Sequence, residues 1–201
     1  KEIFNKWDKS LSGKGWNTVY FGNHDNPRMV SRFGDIENYH QESAKMLATL
    51  LLTLPGTPFL YQGDEIGMTN NVFQNIDEFD DLQVINAYQV LVNEQKHSSE
   101  DFMNASNKIA RDHARTPMQW NAESNAGFSE SAKPWLKIND NYKKINVENQ
   151  QNDENSILNY YKQLIQIRKN NAALIYGAYT DLEPQNNDIW AFTRTLDSKK
   201  N

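Results

Sequence analysis

Apolar residues recur at helical spacing along several stretches of the chain. Glu2–Leu11 reads as an amphipathic helix, and Ser12-Gly13-Lys14-Gly15 turns the chain after it. Asn17-Thr-Val-Tyr-Phe-Gly22 is a short run of β-branched and aromatic residues suited to a buried strand. Tyr39–Leu54 then carries Ala44, Leu47, Ala48, Leu51 and Leu54 as an i, i+3, i+4, i+7 stripe that Pro55-Gly56 stops, and Thr57-Pro-Phe-Leu-Tyr61 predicts a second strand. Strand, loop, helix, strand is a βαβ unit, which implies a parallel sheet with helices outside it. Ile157–Lys169 returns to helical spacing, Asn170-Asn171 ends it, and Asp188–Arg194 alternates like a strand with no partner following it.

Between Gln62 and about Asn155 the pattern holds only two helix-like pieces, near Leu82–Glu94 and Ser99–Ala110. That is longer than a compact domain needs for a connection, so the segment is expected to be a functional excursion. The Asn-rich stretch from Asn139 to Asn159 reads as a polar surface connection, and no internal repeat is visible. Lys1–Trp7 reads as the middle of a helix, and the last strand has no successor; both ends are expected to be cuts in a longer protein.

Composition narrows the function classes. An apolar fraction of 38% with nine Phe, nine Tyr and five Trp is enough for a core. A net charge of −5 argues against a surface built to neutralise nucleic-acid phosphates or anionic lipid. The absence of Cys removes disulfides, thiol nucleophiles, Cys-zinc sites and iron–sulfur clusters. Met46–Leu60, the most apolar stretch, is broken by Thr, Pro and Gly and cannot supply the roughly 20 residues that span a bilayer, so a soluble chain is expected.

In parallel α/β architectures, functional groups gather beyond the carboxyl ends of strands. Gly22-Asn-His-Asp-Asn-Pro-Arg28 and Tyr61-Gln-Gly-Asp-Glu65 occupy two such places. A lone Asp there is ordinarily a cap or a turn former, but several polar groups at both strand ends weaken that reading. Asp64 and Glu65 could be a catalytic pair, yet adjacent residues leaving a strand point to opposite faces. Gly-Asn-His-Asp also matches a metal-binding element of metallophosphoesterases, but the other His, at 40, 97 and 113, are isolated and no His-x-His follows.

Longer motifs point elsewhere. Asn23-His-Asp-Asn-Pro-Arg-Met-Val-Ser-Arg-Phe-Gly34 resembles the seventh-strand motif of the α-amylase superfamily, and Gly56–Asn70 resembles its eighth-strand motif. With Ala110-Arg-Asp-His-Ala-Arg-Thr-Pro-Met-Gln-Trp120, Ala126-Gly-Phe128, Pro134-Trp135 and Tyr160–Lys169, the whole chain is similar to oligo-1,6-glucosidases and to dextran glucosidases, trehalose-6-phosphate hydrolases and sucrose isomerases. The resemblance implies an α/β fold comprising the C-terminal part of a (β/α)8 barrel, from helix six through helix eight. Residues 1–175 would hold this part with the insertion after strand eight, and residues 176–201 the start of a C-terminal β-domain.

The resemblance also implies a retaining glycosidase, in which a carboxylate nucleophile and a carboxylic acid flank the glycosidic bond. The motifs that carry those two groups, after strands four and five, do not occur here, so the chain alone is expected to be inactive. Asp25 corresponds to the third carboxylate, which holds sugar hydroxyls and stabilises the transition state, and His24 would donate to the same hydroxyls. Arg115 is similar to the arginine that recognises the non-reducing end, with a carboxylate partner expected outside these 201 residues. Arg28 is read either as a substrate ligand or as a buried partner for neighbouring carboxylates, and Asp64 and Glu65 become rim scaffold. Asn26 stands where many oligo-1,6-glucosidases have Gln and some sucrose isomerases have Asn, which keeps an isomerase or transglycosylase parent open, and a trehalose-6-phosphate hydrolase parent is a further alternative. The implied partner is an oligosaccharide cut at α-1,6 or α-1,4 bonds in a bacterial cytoplasm, without nucleic acid, membrane, metal or cofactor. Self-association through exposed barrel edges is expected, and a non-catalytic carbohydrate-binding or assembly fragment is the alternative of another class.

Overall fold

The computed structural model describes residues 1–11 and 13–196, so residues 197–201, the end of the expected β-domain segment, lie outside the described residues, as does Ser12 of the first turn. The chain is α/β, and its contacts divide it into two compact units. Among the described residues no helix is long and apolar enough to cross a membrane.

One unit comprises residues 1–20, 48–59 and the C-terminal stretch from 162. Helix α1 (Glu2–Leu11) has the predicted bounds. Strands β1 (Thr18–Val19) and β2 (Thr57–Pro58) pair in parallel, Thr18 opposite Thr57 and Val19 opposite Pro58, as the βαβ reading expects. The ladder is shorter than the two apolar runs. Each strand has only the other as a partner among the described residues, and two hydrogen bonds, Thr57 N to Asn17 O (2.9 Å) and Phe59 N to Val19 O (2.8 Å), complete it. Gly56, at φ 111°, brings the chain into β2 so closely that a Cβ would stand 2.6 Å from Asn17 O.

The helix between the strands, α3 (His40–Thr53), ends with carbonyls that its own backbone cannot pair. Two arginines take them. Arg168, on α8 (Ile157–Asn170), donates to Leu52 O at 2.7 Å, Leu54 O at 3.2 Å and Gly56 O at 2.6 Å, and Arg194 donates to Thr53 O at 2.7 Å. Positive charge at a helix C-terminus also complements the helix dipole.

A short helix after Asn171, α9 (Ala172–Tyr176), leads into an antiparallel pair, β3 (Ala178–Asp181) with β4 (Phe192–Thr195). The last strand therefore has its partner before it, and it starts later than the alternation from Asp188 suggests. Asn186 Oδ1 accepts from Asp188 N and Ile189 N, and Lys1 Nζ binds the carbonyls of Asn186 (2.7 Å) and Ile189 (3.1 Å), so these backbone groups are committed to a turn.

The second unit comprises residues 21–47 and 60–161. It contains α2 (Met29–Phe33), α4 (Leu82–Tyr88) continuing as a π-helical Gln89–Glu94, α5 (Ser99–Ile109), α6 (Asp112–Arg115) and α7 (Val147–Gln151). Ser98 caps α5 by accepting from Asp101 N, and Asp81 caps α4 by accepting from Gln83 N. Small apolar clusters sit beneath the long loops, Ile66 with Met68 and Met118, and Phe73 with Phe79 and Ala110.

The Asn-rich stretch is more than a surface connection. Asn146 is fully buried and caps α7, while Asn139 Nδ2 donates to Asn70 O at 2.8 Å and Asn141 Nδ2 to Thr69 Oγ1 at 2.8 Å. Asn offers donor and acceptor together, so it can satisfy backbone groups of loops that make no ladder.

Candidate active site

The loop after β1 is shaped by its own side chains. Asn23 Oδ1 accepts from Asp25 N and from Asn26 Nδ2, both at 2.8 Å, a local turn that presents Asp25 outward. Asn26 Oδ1 in turn accepts from Arg32 Nη1 at 3.1 Å, so this side chain braces the loop against α2.

Arg115, at the end of α6, reaches the same loop. Its Nε donates to His24 O at 2.9 Å and its Nη2 to Asp25 Oδ1 at 3.0 Å. The other Asp25 oxygen lies 3.4 Å from His24 Nε2, and the side chains of Asp25 and His24 are 52% and 70% exposed. Within this chain the carboxylate that Arg115 meets is Asp25. Trp135 Nε1 donates to Arg115 O at 3.0 Å and its ring packs edge-on against Phe128, which accounts for both aromatic motifs downstream.

Three of the four candidates are therefore brought together, and Arg28 is set apart. Its side chain is in the interior, 1% exposed, where Nε donates to His113 O at 3.0 Å, Nη2 to Thr116 Oγ1 at 3.3 Å and Nη1 to Gln62 O. These partners are backbone carbonyls and a hydroxyl, so Arg28 ties the loop after β1 to the loop after β2 and to α6 rather than facing a ligand. Burial lowers its pKa, with Asp64 opposing.

Asp64 and Glu65 face backbone. Asp64 is buried, its Oδ2 accepts from Tyr61 N at 3.2 Å, and a Cβ on Gly22 would stand 3.1 Å from that oxygen. Glu65 Oε2 accepts from Gly63 N at 2.8 Å. Burial pushes the Asp64 carboxyl up to about 7. Between about pH 4 and 7 the folded chain then holds a proton that the unfolded chain has released, so stability falls as pH rises through that window and levels off above it. Asp64→Asn should flatten the fall of the urea midpoint between pH 5 and pH 8; an unchanged slope would mean that Asp64 ionises normally.

Sequence reasoning missed Arg111, Asp81 and Asp112. Arg111 Nη1 is 3.4 Å from Asp25 Oδ1, and its Nε donates to Asp81 Oδ2 at 2.7 Å. The signal was the spacing, since Arg111 and Arg115 stand four apart and meet on one side of a helical turn. Among the described residues no cluster of three or more His, Cys, Asp or Glu side chains is placed to hold a metal ion.

Comparison with known proteins adds the family. The profile described as "Alpha amylase, catalytic domain" matches residues 1–177. The chain belongs to the alpha-amylase family. Within that family it is similar to the probable oligo-1,6-glucosidase 2 of Bacillus subtilis (strain 168), 48% identical over 96% of this chain and 34% of the relative. It is also similar to the trehalose-6-phosphate hydrolase of Escherichia coli (strain K12), 41% identical over 96% of this chain and 35% of that protein. The crystal structure of isomaltulose synthase from Erwinia rhapontici NX5 superposes with a TM-score of 0.91 at 49% identity, covering 97% of this chain and 35% of that one. The chain spans about a third of the length of these relatives. The phosphoesterase match at Gly22–Asp25 is superseded by family membership.

Proposed function

We propose that this chain supplies part of the substrate site of a retaining, exo-acting α-glucosidase that removes glucose from the non-reducing ends of short α-1,6-linked oligosaccharides. The observation that carries the reading is the half-open Asp25 carboxylate, held by Arg115 and flanked by His24 in the loop after β1. A fixed anionic oxygen beside a donor suits the hydroxyls of a sugar whose ring gains positive charge in the transition state. His24 and Asp25 would bind those hydroxyls, and Arg115 would orient Asp25 at the terminal glucose. Arg28 is assigned an anchoring role. Residues 1–175 are assigned to the barrel from helix six through helix eight with its insertion, and residues 176–201 to the start of a β-domain, in a bacterial cytoplasmic enzyme.

A second reading, sucrose isomerisation, is favoured by Asn26 and by the 49% identity to isomaltulose synthase, which is no lower than the 48% identity to the glucosidase. The full-length enzyme carrying this chain should release glucose from isomaltose. Formation of isomaltulose from sucrose, with isomaltose left intact, would select the isomerase instead.

Arg115→Lys in that enzyme keeps the charge but cannot make both the His24 and Asp25 bonds. Its kcat/KM on isomaltose should fall by about 10–150-fold, the equivalent of the ~1.5–3 kcal/mol typical of hydrogen bonds to charged groups. An unchanged kcat/KM would remove Arg115 from the site.

A further inference from the structure

The two oxygens of Asp25 have different surroundings. Oδ1 receives two guanidinium groups, Arg115 Nη2 at 3.0 Å and Arg111 Nη1 at 3.4 Å, whereas Oδ2 has His24 Nε2 at 3.4 Å. Arg115 is already accounted for by its second bond, to the carbonyl of His24. Among the described residues the Arg111 side chain bonds only Asp81 and, in that loop, Asp25.

Arg111 is clamped from behind. The Nε and Nη2 edge of its guanidinium donates to both oxygens of Asp81, leaving Nη1 on the opposite side to reach Asp25. Asp81 cannot follow a moving arginine, because it is itself 4% exposed, accepts from Gln83 N at 2.9 Å, and donates its own backbone N to Asp112 Oδ2 at 2.9 Å. Asp112, 1% exposed, also accepts from Asp80 N at 2.8 Å. A chain of bonds thus runs from a buried carboxylate through a fixed loop and a bidentate ion pair to the half-open carboxylate.

We propose that Arg111 is a positioning residue for Asp25: held by Asp81, it fixes Oδ1 jointly with Arg115 and leaves Oδ2 as the oxygen that meets a sugar hydroxyl. This rests on the reading of Asp25 as the transition-state carboxylate. Arg111 touches no substrate in this account; it acts by preventing Asp25 from rotating its charge away from the developing cation.

A double-mutant cycle in the full-length enzyme separates this role from a general structural one. Arg111→Gln should lower kcat on isomaltose by about 10–100-fold, by analogy with the loss of groups that orient the ligands of metal sites, with KM changed much less. In an Asp25→Asn background the same substitution should have no further effect on kcat, because nothing is left to position. Asp81→Asn should act in the same direction and add little once Arg111→Gln is present. Arg111→Lys, which keeps charge without the fork, should fall between wild type and Arg111→Gln, and it carries the test if Arg111→Gln does not fold. An Arg111→Gln enzyme with normal kcat, or one whose loss is equally large in the Asp25→Asn background, would overturn the proposal. A normal kcat for Asp25→Asn alone would instead overturn the functional reading beneath it.

Discussion

Asp25→Asn should cut kcat on isomaltose by about 10²–10³ in the full-length enzyme while KM moves little, the cost of losing one preorganised electrostatic group. The direction follows from where the charge sits. Asp25 is already paid for in the ground state by Arg115 and Arg111 on one oxygen, while the other faces His24 on an open side. A carboxylate aimed at developing positive charge gains strength as the bond breaks, so its loss appears in kcat rather than in binding. Asparagine is nearly the same shape and can still accept from both arginines, so the loop turn made by Asn23 should survive. Steady-state kinetics with circular dichroism tests this. A folded Asp25→Asn enzyme with near-normal kcat would make Asp25 a turn residue.

The purified 201-residue chain should release no measurable glucose from isomaltose or from an aryl α-glucoside. Retaining hydrolysis needs a nucleophile and an acid about 5–5.5 Å apart across the bond. The carboxylates around the candidate site are committed otherwise: Asp25 to arginines, Asp64 to Tyr61 N in the interior, Glu65 to Gly63 N, Asp81 to Arg111 and Asp112 to the backbone of Asp80 and Asp81. Binding and orientation without those two groups leave the chemical step unassisted. Turnover by the homogeneous chain would show that the reacting pair lies inside it.

Asn26, whose identity the resemblance links to some sucrose isomerases, here bonds Asn23 and Arg32 within the loop. Its influence on the reaction would then pass through the shape of that loop, and thereby through Asp25, more than through a contact of its own.

Several elements were readable without coordinates because their causes are local. The apolar stripe in Tyr39–Leu54 and the Pro55-Gly56 stop specify α3 to within a residue at each end, and Ser98 and Ala110 bracket α5. Two apolar runs around one helix are enough to imply a parallel pair, and β1 with β2 is one. The motifs at Asn23–Gly34 and Gly56–Asn70 identify the family, since a strand end that must present fixed polar groups constrains many neighbouring positions at once.

What tertiary structure alone decided concerns partners far apart in the chain. Arg115 pairs with Asp25 across 90 positions, Arg28 gives its guanidinium to the carbonyls of Gln62 and His113, and Arg168 closes the end of α3 from more than 110 positions away. An arginine looks the same in sequence whether its partner is a carboxylate at an open loop or a carbonyl in the interior. Which it meets depends on where the backbone leaves orphaned acceptors after folding, and an unpaired buried carbonyl is costly enough to claim the nearest fork of donors. The same closure places Asp81, from a segment outside the Ala110–Trp120 motif, behind Arg111, whose guanidinium reaches both Asp81 and Asp25.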